Sequence, residues 1–300
     1  MNLPPVNRQS GWLKREMSRT TIGTALQAAV GALDAAASPQ LDAQLLLGHV
    51  MGLGRAALLA HPEHILTPAQ AAKFDSLIRQ AAAGVPIPYL TGHRAFYLHD
   101  FLVTPDVLIP RPETEHLVEA ALAWAHRHPA DGEGLTLVDV GTGSGAIALS
   151  LAAALPAAAV HAIDISPAAL EVARRNARRL AVTDVYFHQG DLLAALPEAV
   201  QPDLIAANLP YIPSDDLDAL PVARHEPRLA LNGGPDGLAL IRRLLAQAVM
   251  RVGEAFCLLL EIGADQGAAV ATLCRETFPG TAVRVIKDYA GHDRVVEVTP

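Results

Sequence analysis

The chain is poor in the features that mark several protein classes. Only two cysteines, Cys257 and Cys274, occur in 300 residues, too few for a disulfide framework or a cysteine metal cluster. Cys257 falls in the apolar run 255–260 and reads as a small core hydrophobe. The histidine pairs His61/His64 and His126/His128 lack companions at ligand spacing, so no metal site is expected. No stretch approaches the ~18 consecutive apolar residues of a membrane span. Residues 1–19 have prolines and charges but no apolar h-region, which excludes a secretory signal. A cytoplasmic protein with a loose N-terminal tail is expected, with Met17 as a second candidate start. There is no basic block. The densest cluster, Arg174, Arg175, Arg178 and Arg179, lies on one predicted helix and reads as a solvated face, and the formal charge is −8. Direct binding of nucleic acid is therefore not expected, and the chain is expected to be a monomer. Internal repeats and low-complexity segments are also missing.

What the chain has is alanine and apolar periodicity: 51% of its residues are hydrophobic. Ile22, Leu26, Val30 and Leu33 recur at helical spacing. Ser38-Pro39 reads as an N-cap with Pro in the first turn, and Leu41, Leu45, Leu46 and His49 follow as the stripe of a second helix. A short helix is expected over residues 55–60. Thr67-Pro68 opens another, with Ala71, Phe74, Ile78 and Ala81 on its inner face. Residues 20–84 thus read as a small all-helical domain. Pro86 and Pro88 break the helix and open a connector over 85–109, in which 96–103 reads as a β-hairpin or extended arm. A stiff Pro-rich stretch then leads into a helix carrying Leu117, Val118, Ala121 and Leu122.

From Leu135 the pattern alternates strand and helix. Strands are expected near 135–140, 158–164, 185–188, 202–207, 255–262, 283–286 and 295–298, and helices near 146–155, 167–180, 237–250 and 266–277. Right-handed crossovers make this an α/β fold with a doubly wound, mostly parallel seven-stranded sheet. The last two strands, joined through Gly291-His292-Asp293, form a terminal hairpin with one antiparallel strand. Residues 110–300 are read as the catalytic domain.

Chemistry concentrates at the carboxyl ends of the strands, where open α/β sheets bind ligands. Gly141-Thr142-Gly143-Ser144-Gly145 follows the first strand, and its glycines let the backbone approach a ligand with helix N–H groups aimed at it. Asp164, ending the second strand, is placed to accept the two hydroxyls of a ribose. This much fits a dinucleotide or S-adenosylmethionine alike, and the loop even satisfies G-x-G-x-x-A. Two features favour S-adenosylmethionine. Asp139 suits a cationic amino-acid end, and Asn208-Leu209-Pro210-Tyr211 offers nothing for hydride transfer. Instead, the Asn208 side-chain carbonyl and the Leu209 backbone carbonyl can both accept from one planar –NH2 group. Pro210 biases Leu209 toward extended backbone, and Tyr211 is placed to cover the flat face of the bound group. Asp191, with Leu192 beside it, suits the adenine amine.

The chain over residues 20–300 resembles the class I methyltransferases that methylate the N5 amide of protein glutamines, and more closely the release-factor glutamine methyltransferases. The resemblance is carried by Ile109-Pro110-Arg111-Pro112-Glu113-Thr114-Glu115, by the run from Asp139 to Ala148, by Asn208-Leu209-Pro210-Tyr211-Ile212-Pro213, and by the segment from His225 to Gly237. It implies S-adenosyl-L-methionine as methyl donor and the glutamine of a Gly-Gly-Gln tip on peptide-chain release factors as acceptor. It further implies a helical N-terminal domain that helps hold this partner, as part of translation termination. On that resemblance, Gly141 to Gly145 wrap the cofactor, Asp164 takes the ribose, Asp191 and Leu192 border adenine, and Asn208 to Tyr211 hold the glutamine amide. Two positions depart from the family pattern. Residue 209 is Leu where Pro is usual, which keeps the carbonyl but loses one fixed φ. Residue 192 is Leu where an aromatic often stacks on adenine. The competing readings are a ribosomal-RNA adenine N6-methyltransferase, whose motif Asn-Leu-Pro-Tyr also resembles, a ribosomal-protein glutamine methyltransferase, a non-catalytic adaptor on the same fold and, more distantly, a nicotinamide dehydrogenase.

Overall fold

The computed structural model describes residues 20–127 and 134–300. The expected tail over residues 1–19 and His128 lie outside the described residues. Two compact units form, one up to Thr91 and one from Gly92 onward.

The first unit is helical: α1 (Ile22–Ala32), α2 (Pro39–Met51), α3 (Arg55–Ala60), α4 (Pro68–Ala82) and the short α5 (Ile87–Thr91). Capping boxes start α1 and α4. Thr24 N–H donates to Thr21 Oγ1 at 3.2 Å and Thr21 N–H donates back to Thr24 Oγ1 at 2.9 Å, while Thr67 and Gln70 repeat the arrangement. Each box satisfies two of the orphan donors of a helix start. Ser38 precedes α2 as expected, but its hydroxyl makes no cap bond. The α2 stripe also differs from the sequence reading. Leu41 and Leu45 are exposed, and the buried face is Ala43, Leu46 and Leu47. The hydrophobic residues of this helix spread over more than one face, so the i, i+3, i+4 set facing the core is not the leucine set. Pro88 sits inside the first turn of α5, where a missing N–H costs nothing, so the chain after Pro86 is helical rather than broken.

In the second unit, β1 (His93–Phe96) and β2 (His99–Leu102) form an antiparallel hairpin. Phe96 and Phe101 are buried edge to face, with ring centroids 6.0 Å apart. A 3-10 turn (Pro112–Thr114) leads into α6 (Glu115–Ala125). The alternating part follows as β3 (Thr136–Val140), α7 (Ala146–Ala154), β4 (Ala159–Asp164), α8 (Pro167–Leu180), β5 (Val185–Gln189), β6 (Leu204–Ala207), α9 (Ala239–Ala248), β7 (Cys257–Glu261), α10 (Gly267–Thr277), β8 (Ala282–Lys287) and β9 (Asp293–Thr299). The sheet order is β5-β4-β3-β6-β7-β9-β8. Strand β9 runs antiparallel to both its neighbours, as the terminal hairpin requires. The central strands are buried on both faces and read as unbroken apolar runs. Alternate residues feed two cores, Leu137, Ala162 and Leu204 on one side and Val138, Ile163 and Ile205 on the other.

The register of β3 on β6 positions the site. Val140 pairs with Ala207, so Gly141 and Asn208, 67 residues apart, leave the sheet side by side. Here strand order reverses, from β3 outward to β5 on one side and to β6 and β7 on the other. That is the switch point at which such sheets open a crevice.

Asn176 on α8 ties the hairpin to this edge. It is fully buried; Leu102 N–H donates to its Oδ1 at 2.7 Å, and its Nδ2 donates to Leu102 O at 2.9 Å and to Ser144 O at 2.8 Å. Asn176→Ala strands one N–H and two carbonyls. It should cost about 2–4 kcal/mol, allowing roughly 1–3 kcal/mol for a buried polar group left unpaired. In urea titrations the midpoint should fall with the slope unchanged.

Candidate functional site

The crevice is a cavity of about 500 Å³, inside the ~300–1,000 Å³ range of small-molecule sites. Gly141, Gly143, Asp164, Asp191, Leu192 and Asn208 all line it. The glycine loop divides its labour. Gly141 and Gly143, at φ +79° and +55°, face the cavity. Thr142, Ser144 and Gly145, expected in the sequence reading to wrap the ligand, do not line it. Thr142 is buried and its hydroxyl donates to Asp139 Oδ2 at 2.6 Å. Ser144 is buried with its carbonyl on Asn176. Gly145 adopts φ +83°, and a Cβ there would sit 3.2 Å from Ala173 Cβ, so its missing side chain lets the loop lie against α8. These three shape the loop from behind.

Asp139 also differs from its sequence reading. It is 1% exposed and does not border the cavity, so it cannot meet a cationic ligand end directly. Its Oδ2 accepts from Thr142 and, at 3.1 Å, from Ala148 N–H in the first turn of α7, bracing the loop. Its Oδ1 has no hydrogen-bond partner. Burial first, with the nearby Asp164 charge adding to it, pushes its pKa up to about 7.

Asp164 accepts from Gly143 N–H (2.8 Å, Oδ2) and Ser166 N–H (2.8 Å, Oδ1). One lone pair per oxygen remains for a diol. Burial raises its pKa against these bonds. Asp191 is ion-paired to Arg243 on α9, and both line the cavity beside Leu192. Leu192 itself is buried with φ +51°, a strained conformation for a branched side chain. Arg243 carries no sequence signal, because an arginine on an amphipathic helix reads as solvated surface. The same holds for Val107 and Leu108, which close the cavity from the Pro-rich stretch.

A second cavity of about 230 Å³ lies next to the first, lined by Arg111, Tyr211, Ile212 and Val222 among others. The two share Leu108, Asn208, Leu209, Pro210 and Ala230. Asn208-Leu209-Pro210 is therefore a common wall, with Tyr211 on the far side only. Leu209 is 4% exposed, and a Cβ on Gly141 would meet its Cδ2 at 3.2 Å. Packing on the glycine loop thus restrains the residue where the ring of a proline is missing.

The segment 225–237 pins this wall. Ile212 N–H donates to Leu231 O at 3.1 Å, Gly233 N–H to Ile212 O at 2.8 Å, and Gln266 Nε2 to Tyr211 O at 3.0 Å. Glu226, 4% exposed, accepts from Ile109 N–H at 3.0 Å and from Arg111 Nη2 at 2.5 Å, joining this segment to the Pro-rich stretch. A Cβ on Gly233 would come 2.7 Å from Pro210 O, and one on Gly237 would clash with Tyr211 O. Asn208 Nδ2 donates at 3.0 Å to Thr114 Oγ1, which is itself buried.

Two consequences are measurable. Gly237→Ala must accommodate both φ +75° and the Tyr211 carbonyl. It should lower stability by more than the ~1–2 kcal/mol of left-handed strain alone, read by urea denaturation. For Asp139, folding favours the protonated acid, so its contribution is complete below 3.8 and is lost as pH rises toward about 7. Asp139→Asn should flatten that part of the stability profile in denaturation series across this window.

The residues present suit S-adenosylmethionine: a glycine-lined wall the backbone can bring close, a diol-facing carboxylate, and an apolar floor with an Asp–Arg pair at the rim. Residues 24–92 match the family described as PrmC N-terminal domain, and residues 131–249 one described as methyltransferase domain. The release factor glutamine methyltransferase of Moorella thermoacetica is 50% identical over 85% of this chain and 89% of its own length. That of Vibrio cholerae is 42% identical over 92% and 95%. Among solved structures, the hMettl16 catalytic domain superposes with a TM-score of 0.52 at 14% identity, over 66% of this chain and 74% of that one, a likeness of fold alone. With this identity over nearly the whole length of both relatives, the chain belongs to the release factor glutamine methyltransferases.

Proposed function

We propose that the protein transfers a methyl group from S-adenosylmethionine to the N5 amide of the glutamine in the Gly-Gly-Gln motif of peptide-chain release factors. The observation that supports it best is the common wall: Asn208, Leu209 and Pro210 border both cavities. A methyl donor in the larger and a carboxamide in the smaller meet across it, with Leu108 and Ala230 the other residues the cavities share. Net charge −8 argues against an RNA acceptor, whose binding draws on basic surface. The reaction belongs to translation termination in the cytoplasm. The helical unit, up to Thr91, serves substrate recognition, and the unit from Gly92 onward carries the chemistry in a monomeric enzyme.

When bound, S-adenosylmethionine supplies a sulfonium-activated methyl group. The chain's residues do the rest by orientation. Asp164 holds the ribose diol beside the Gly141–Gly143 backbone, and Asp191 and Leu192 take the adenine end. An amide nitrogen is a poor nucleophile because its lone pair is delocalised into the carbonyl. Asn208 Oδ1 and the Leu209 carbonyl accept its two N–H groups, so the remaining lone pair faces the first cavity. Tyr211 bounds the acceptor side, its hydroxyl kept protonated because burial, and next the Glu261 charge, raise its pKa. No base is needed before transfer, since the methylated nitrogen is cationic and strongly acidic and then releases one of its two hydrogens to solvent as a proton. Positioning of this kind can supply on the order of 7–11 kcal/mol.

Incubation with S-adenosylmethionine and a full-length release factor should add one methyl to the glutamine of the Gly-Gly-Gln peptide, as read by mass spectrometry. Methylation of RNA adenines instead would contradict the assignment. Asn208→Ala should reduce turnover about 10²–10³-fold, the loss typical of one preorganised polar group, while S-adenosylmethionine still binds in calorimetry.

A further inference from the structure

Arg111 and Glu226 form an ion pair that none of the steps above uses. Glu226 is 4% exposed, and both its carboxyl oxygens are engaged. Oε2 accepts from Ile109 N–H at 3.0 Å, and Oε1 accepts from Arg111 Nη2 at 2.5 Å. The guanidinium is thereby fixed, yet the Arg111 side chain remains 34% exposed. That bond uses one of its five N–H donors. Among the described residues no second partner engages it. Arg111 lines the smaller cavity and not the larger. Of the described residues around the smaller cavity it alone carries a charge, and Ile212, Val222 and Leu231 stand among the others.

Placement and charge narrow what the remaining donors can take. The reacting nitrogen belongs at the wall shared by the two cavities, and Arg111 stands off that wall, on the acceptor side. An anionic ligand is disfavoured, because the positive charge is already matched by a buried carboxylate. Neutral carbonyl oxygens remain. The side-chain oxygen of the acceptor glutamine is the wrong one, since a guanidinium there would draw the nitrogen lone pair further into the carbonyl and slow its attack. What is left is the main chain that carries the glutamine. A planar fork of N–H groups suits two such oxygens. The same short stretch holds the other end of the acceptor site. Thr114 N–H donates to Arg111 O at 3.1 Å, and Thr114 Oγ1 accepts from Asn208 Nδ2 at 3.0 Å.

We propose that Arg111, fixed by Glu226, binds the main-chain carbonyl oxygens beside the acceptor glutamine and so makes the site select a glutamine preceded by glycine. Bringing a main chain onto a guanidinium in a cavity walled by branched side chains requires close backbone approach, which glycine permits and a Cβ obstructs. The proposal deepens the glutamine-methylation reading and rests on it for the identity of the acceptor.

The test pairs enzyme and acceptor variants. Methyl transfer is followed by mass spectrometry to a full-length release factor, either wild type or with alanine in place of the glycine before the acceptor glutamine. Binding is followed by calorimetry. R111Q should raise KM for the wild-type release factor about 10–100-fold, the scale of losing hydrogen bonds to a charged group. Its kcat at saturating acceptor and its Kd for S-adenosylmethionine should stay near wild type, as for a contact made equally before and during transfer. R111K, which keeps the charge but lacks the planar fork, should recover only part of the loss. The alanine acceptor should raise KM of the wild-type enzyme about 10-fold and cost R111Q nothing further, since the two changes remove one interaction. R111Q with a wild-type KM would overturn the proposal, as would losses that simply multiply in the pair. A parallel loss of S-adenosylmethionine affinity in R111Q and R111K would also overturn it, because it would mark a disrupted site. A wild-type chain that binds the release factor through Arg111 but transfers no methyl group would support the contact while refuting the glutamine-methylation reading.

Discussion

Everything at the site depends on the register of two parallel strands. Because Val140 lies opposite Ala207, a glycine loop and an asparagine far apart in sequence leave the sheet as neighbours. A one-residue slip would turn every side chain of β6 to the other face, and it would bury Asn208 where no ligand reaches. The slip is prevented by bulk. Ile205 and Ala207 feed one core while Leu204 and Ala206 feed the other, all of them buried. Four short apolar residues thus hold two pieces of chemistry together with no direct bond between them.

Around that junction the structure uses close backbone approach on one side and buried carboxyls on the other. Gly233 and Gly237 bring one segment against the carbonyls of Pro210 and Tyr211. Asp139, Glu226 and Glu261 are each nearly inaccessible; Asp139 braces the loop before α7 and Glu226 the Pro-rich stretch, while Glu261 closes β7 beside the end of β6. Buried carboxyls are poor stabilisers of a fold. Their concentration here, against the loops that line the two cavities, suits a region selected for fixed geometry. The Pro-Glu-Thr-Glu run shows the same economy. Thr114 reaches Asn208, and one residue on, Glu115 accepts from Tyr97 N–H at 2.9 Å in the β-hairpin.

Much of this was legible in the sequence, and for physical reasons. The seven strands and the antiparallel last one followed from short apolar runs separated by helical periodicity. The helix over Pro167–Leu180 was bounded by Ser166, whose hydroxyl caps it, and by Ala181 in the left-handed region. Gly141, Gly143, Asp164, Asp191 and Asn208 all line the larger cavity, because strand ends point at the switch crevice. What stayed hidden was direction. Sequence order cannot say that Thr142, Ser144 and Asp139 face inward while Gly143 beside them faces out, since that depends on left-handed backbone at alternate glycines. Nor did it reveal Glu261, which closes the strand Cys257–Glu261 and looks like an ordinary polar strand end. The buried face of α2 was misread because exposed leucines mimic a core stripe.

The central claim is that one wall serves two ligands. A crystal structure with S-adenosylhomocysteine and a glutamine-containing peptide tests it most directly. The geometry predicts the sulfur beside Gly141 and Gly143 in the larger cavity. It predicts the peptide carboxamide on the Tyr211 side, with both N–H groups donated to Asn208 Oδ1 and the Leu209 carbonyl. An adenosyl group seated elsewhere, or Asn208 offering its Nδ2 to the peptide, would contradict it.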